Sequence, residues 1–164
     1  MAKRNLNVLV LHGHGEEWKT IRDCVRRFGY TPIVLKERVG GGILFNKFRK
    51  AVWGEAHCAV VVLTRDDKIA SQKNGPSYRA RQNVVFELGY CFGAFDSLAP
   101  GSGYKAKHAV IVVEEEGVER FANIEGLVSI RFPPGRPEDK RQDLETALKD
   151  AYKRARKFYV HDDL

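Results

Sequence analysis

No stretch of this sequence stays apolar long enough to span a bilayer. The longest runs, such as residues 59–63 and 109–113, are strand-sized, whereas a membrane helix needs about 20 apolar residues. Lys3, Arg4 and Asn5 lead straight into an apolar run without a secretory h-region, so neither export nor a membrane partner is expected. Cysteine is scarce. Cys24, Cys58 and Cys91 are widely spaced and odd in number, which excludes a disulfide frame and a cysteine metal site and suits buried thiols in the reducing cytoplasm. A GxGxxG fingerprint and a P-loop are both missing, which disfavours a dinucleotide-dependent hydride-transfer enzyme. Low-complexity tracts and internal repeats are also missing.

What is present is a core-forming composition. The 164 residues are 43% hydrophobic and 30% charged, within the range of one domain spanning 1–164. The formal net charge is +7, and residues 1–50, with 11 Lys/Arg against 4 Asp/Glu, hold all of the excess. A basic face attracts nucleic acid, an acidic partner or a phosphate-bearing ligand. Nucleic acid is disfavoured here, because the basic residues lack interleaved aromatics or a known binding motif, and a solvated surface is preferred.

Apolar periodicity alternates strands and helices. Strands are predicted at 6–11, 31–35, 57–63, 108–113 and 127–132. Helices are predicted at 16–28, from 44, at 82–95, and at 138–159, the last with acids near its start and bases near its end. A charged loop at 36–42 ends in three glycines, and a long polar loop runs from 64 to about 80. Strands apolar throughout, separated by helices, indicate a parallel sheet covered on both faces, a flavodoxin-like α/β sandwich of five strands in the order 2-1-3-4-5. Ligands of such sheets bind beyond the strand carboxyl ends, at the switch between strands 1 and 3. That selects residues 12–16, the loop from Thr64 and the start of the third helix.

Three clusters there can carry chemistry. Glu87 sits in a helix apolar on most sides, where a carboxylate loses hydration at a cost of several kcal/mol unless paired or neutralised. Asn83, Tyr90 and Cys91 share its face, and Arg79, Arg81 and Gln82 lie just upstream, where a helix N-terminus favours anions. Glu87 is therefore either functional, or turned to solvent, or paired with an arginine for stability. The second cluster, His12-Gly13-His14-Gly15, offers glycine-freed amides to a phosphate. Its two histidines have no third ligand at matching spacing, so no metal is expected. Thr64-Arg65-Asp66-Asp67 can hold ribose hydroxyls or form an ordinary turn and helix cap.

Together these segments resemble the bacterial TIR-like nucleotide-binding domains, relatives of the TIR module in TIR–STING antiphage proteins. The likeness lies in Val10-Leu11-His12-Gly13-His14, in Gly41-Gly42, in Leu63-Thr64-Arg65-Asp66-Asp67, in residues 118–126, and above all in the run from Arg79-Ala80-Arg81-Gln82-Asn83 to Phe86-Glu87-Leu88-Gly89-Tyr90. It covers residues 6–132. The resemblance implies NAD⁺ glycohydrolase activity in antiphage or immune-type signalling, releasing nicotinamide and ADP-ribose or a cyclised product. The family's catalytic glutamate falls on Glu87. His12, Gly13, His14, Gly41, Asp66, Asp67, Arg81 and Asn83 are the expected nucleotide-binding positions. NAD⁺ enters as substrate, with no separate cofactor. Self-association through TIR surfaces and a separate sensor or effector protein are the partners implied. The chain departs from the family at Gly15, where an Asp is frequent, at Gly42, where a basic residue is frequent, and at Asn46, an acidic position in relatives. Two other functions fit the same residues: a TIR interaction or nucleotide-sensing module without turnover, and a nucleoside 2-deoxyribosyltransferase-like enzyme with a glutamate nucleophile.

Overall fold

The computed structural model describes residues 6–37, 44–69, 77–98, 110–120 and 129–158. Along the chain run β1 (Asn7–His12), α1 (Glu17–Arg27), β2 (Thr31–Ile33), α2 (Leu44–Gly54), β3 (Cys58–Leu63), β4 (Asp67–Ile69), β5 (Ser77–Arg79), α3 (Gln82–Leu98), β6 (Val110–Glu115), β7 (Ser129–Phe132) and α4 (Arg141–Phe158). Five strands form one parallel sheet in the order β2-β1-β3-β6-β7. Within the main sheet this is the expected 2-1-3-4-5 order.

The alternation of side chains along the strands divides the core in two. Leu9, Leu11, Val61, Leu63 and Val112 face Phe48 and Val52 of α2 and Val84 and Leu88 of α3. On the other side Val8, Val10, Val60 and Val113 face Ile21 and Val25 of α1 and Leu144 and Leu148 of α4. Every residue of β3 is buried, as a central strand covered on both faces requires. Gly29, at φ 84°, ends α1. Its amide donates to the Arg26 carbonyl and that of Tyr30 to the Val25 carbonyl, a paired closure that needs the left-handed conformation glycine supplies.

Helix and strand ends shift by a few residues from the sequence reading, and three differences are larger or bear on the site. β2 stops at Ile33, and Leu35–Glu37 coils into a 3-10 turn instead of extending the strand. The polar loop after β3 contains an antiparallel hairpin of β4 and β5, three residues each and nowhere fully buried. Segments this short and half-exposed carry no clear period. β6 continues through Glu114 and Glu115, both buried, where the end of the apolar run had marked its limit. Gly41, Gly42 and residues 121–126 lie outside the described residues. Among the described residues no helix is long and apolar enough to cross a membrane.

Candidate active site

At the carboxyl end of β1, Val10, Leu11, His12, Gly13 and His14 meet Leu35, Lys36, Leu44 and Glu87 around a cleft of about 280 Å³. Glu87 reaches it from the second turn of α3, whose Val84, Leu88 and Cys91 are buried against the sheet. The half-buried Glu87 carboxyl is paired with no side chain among the described residues, and burial pushes its pKa up to about 7. Arg81, the arginine best placed in sequence to neutralise it, turns instead to Asp67, with Nη1 3.7 Å from Oδ1. Asn83 is exposed one turn before Glu87. On the far side, the Cys91 thiol is pushed up to about 12 by burial and by the Glu87 charge. It is an inert neighbour.

Asp66 does not line this cleft but fixes the loop that does. Its Oδ1 accepts the amides of His14 (3.0 Å) and Gly15 (3.2 Å) and the Thr64 hydroxyl (3.1 Å), while Oδ2 accepts the Arg81 amide (3.3 Å). One carboxylate thus ties the β1 loop, the β3 end and the start of α3 together. This changes the expectation for the His-Gly-His loop, because the amides of His14 and Gly15 already hold an anion, and it is Asp66. Gly13 is required by the same contact: a Cβ there would lie 1.8 Å from Asp66 Oδ2. Gly13→Ala should displace the carboxylate from its donors and cost about 2 kcal/mol. Thermal unfolding checks this, and a melting temperature equal to that of the unaltered chain would contradict the clamp.

His12 is fixed by two contacts. Its ring stacks on Trp18 at 4.5 Å and 14°, and its Nδ1 lies 2.8 Å from the Gly13 carbonyl oxygen. A carbonyl only accepts, so Nδ1 carries the proton, and the neutral ring keeps Nε2 as its acceptor. Burial lowers the His12 pKa, and the nearby Lys36 charge acts in the same direction.

Sequence reasoning missed several groups. Leu35, Lys36 and Leu44 line the cleft, although nothing in a charged, glycine-ended loop distinguished them. Buried Glu114 accepts two bonds from Arg120 Nε (3.0 Å to each oxygen), one from Arg120 Nη2 (2.6 Å) and one from the Ser129 hydroxyl (2.9 Å). Glu115 accepts the amides of Arg65 (2.9 Å) and Gly135 (3.2 Å). Neither glutamate is distinguished in the sequence, where the predicted strand ends at Val113. Beside α2 and α3, Phe45, Trp53 and Phe86 are 41%, 47% and 57% exposed. The Phe45 and Phe86 rings lie 5.9 Å apart, and Trp53 Nε1 donates to the Tyr90 hydroxyl at 2.7 Å. Among the described residues no three His, Cys, Asp or Glu side chains are grouped to hold a metal.

A five-stranded parallel sheet with helices on both faces and a carboxyl-bearing cleft at its strand ends defines a flavodoxin-like α/β domain. The family described as CAP12/Pycsar effector protein, TIR domain, matches residues 7–133, and the chain belongs to that family. It is also 35% identical over 89 residues to an uncharacterized protein of Escherichia coli (strain K12), YuaY, a match covering 52% of this chain and 29% of YuaY. With protein tirC of Dictyostelium discoideum it shares 30% identity over 100 residues, 55% of this chain and 48% of tirC. The chain therefore spans about half or less of the curated relatives it matches.

Proposed function

We propose that this domain cleaves NAD⁺ at the bond between nicotinamide and ribose, with Glu87 as the catalytic residue. The observation that carries the reading is a carboxyl group with no side-chain partner among the described residues, desolvated to a pKa of about 7, in a cleft at the strand ends of a TIR domain. The pyridinium leaves as neutral nicotinamide and takes the bonding electron pair, so it needs no proton from a general acid. Charge develops on the ribose instead, and the Glu87 carboxylate stabilises that oxocarbenium. Water then adds to the anomeric carbon and loses a proton, giving ADP-ribose; attack by an adenine nitrogen gives a cyclised product. The acceptor Nε2 of His12 suits a ribose hydroxyl. Asp66, with its oxygens engaged by the clamp, acts by holding the loop. The cleft is at the small end of ligand sites, which run to about 300–1,000 Å³, and fits the nicotinamide ribose half of the substrate.

The exposed aromatic cluster of Phe45, Trp53 and Phe86 favours self-association, and it also supports a second reading, an interaction module without turnover. One experiment separates them. Concentrated protein incubated with NAD⁺ and a chelator should release nicotinamide together with ADP-ribose or its cyclised form. Turnover per molecule should rise steeply with protein concentration. Flat specific activity across a hundredfold dilution series would count against self-association. Concentration-dependent assembly with no nicotinamide at any concentration would leave the interaction module.

A further inference from the structure

We propose that Lys36 is the phosphate-binding residue of the Glu87 cleft and makes it selective for ligands that carry a phosphate on the ribose. The inference rests on reading the cleft as a nucleotide site. It begins with which donors remain. The His14 and Gly15 amides, the obvious phosphate cradle, are filled by Asp66. The neutral His12 ring gives its one N–H to the Gly13 carbonyl. Arg81 is turned to Asp67. Lys36 is then the only lysine or arginine among the cleft's described lining residues, beside apolar Val10, Leu11, Leu35 and Leu44.

Its position is built rather than incidental. The 3-10 turn of Leu35–Glu37 is closed by the Glu37 amide on the Val34 carbonyl at 3.2 Å. The Glu37 carboxylate pairs with Arg22 of α1, which anchors the residue next to Lys36. The ammonium lies 5.8 Å from the centre of the Trp18 ring, the ring on which His12 stacks. Lys36 and His12 are thereby held around one indole, a cation beside a ribose-hydroxyl acceptor. No carboxylate among the described residues comes within ion-pair distance of Lys36, so its charge is left for a ligand. A phosphate oxygen gives such an ammonium a charge-assisted hydrogen bond.

Calorimetric titration tests this on the unaltered chain, Lys36→Met and Lys36→Arg, using ADP-ribose and nicotinamide riboside as probes at low and high salt. Because Lys36 is exposed and Met keeps the length of its stem, melting temperatures should match. Lys36→Met should weaken ADP-ribose at least roughly tenfold, Lys36→Arg should restore most of the affinity, and added salt should weaken only the charged forms. Nicotinamide riboside, a pyridinium cation with no phosphate, should bind the Met protein at least as tightly as the other two. Equal ADP-ribose affinity for the unaltered and Met proteins overturns the proposal. Because the readout is binding, it stands or falls separately from catalysis: ADP-ribose held through Lys36 without nicotinamide release would sink the cleavage reading alone. Failure of the unaltered chain to bind either probe would overturn both.

Discussion

Glu87→Gln should reduce nicotinamide release at least roughly a hundredfold, the scale of losing one preorganised electrostatic group. The same substitution should leave the fold intact and, at alkaline pH, more stable. The folded-state pKa of about 7 stands above the ordinary 4.5, so between these values the folded chain binds more protons than the unfolded one. Stability from this group is complete below about pH 4.5 and is lost as pH rises to about 7, by roughly 3 kcal/mol at most. Glutamine removes that slope. Its gain should be absent near pH 4.5 and reach about 1–3 kcal/mol, several degrees in melting temperature, above pH 7. A variant destabilised at every pH that still cleaves NAD⁺ at the original rate would show that Glu87 is a structural residue.

Arg120→Met should be the most destabilising single change in the β6 end. Glu114 is 2% exposed, and without Arg120 it keeps the Ser129 hydroxyl and the largely exposed Arg131, whose Nη2 is 3.8 Å away. A buried charge stripped of its main partner costs about 3–5 kcal/mol, or about 10 °C in melting temperature for a chain of this length. Adding Glu114→Gln should recover most of the loss, because a neutral amide can keep its bond to Ser129 without a counter-charge. Thermal unfolding of the two single variants and the double one measures the coupling. If Arg120→Met costs under about 1 kcal/mol, the pair acts as an ordinary surface ion pair.

The sequence carried the sheet order because burial on both faces leaves continuous apolar runs, and the strands around Val8–Val10 and Val60–Val62 have no competing pattern. Glu87 was legible for the converse reason, as an acid in a helix with little room for one. The partners of polar groups were not. Asp66 meets His14 across 52 residues of chain, and no local spacing records such a contact. The same holds for Glu114, whose partners Arg120 and Ser129 come from the connection to β7 and from β7 itself. Local sequence showed a loop fit for phosphate, whereas tertiary structure filled that loop with the protein's own carboxylate. Lys36 gave no signal at all, since a lysine in a charged loop looks like any other.

The pH dependence of nicotinamide release, followed between about pH 5.5 and 8.5 at fixed high protein concentration, tests the central claim most directly. Catalysis requires the ionised carboxylate, so the rate should rise with pH to a plateau, with its midpoint near the Glu87 value of about 7. A rate already at its plateau at the acid end of that range, as an ordinary solvated glutamate would give, contradicts the account of Glu87 as a desolvated catalytic carboxylate.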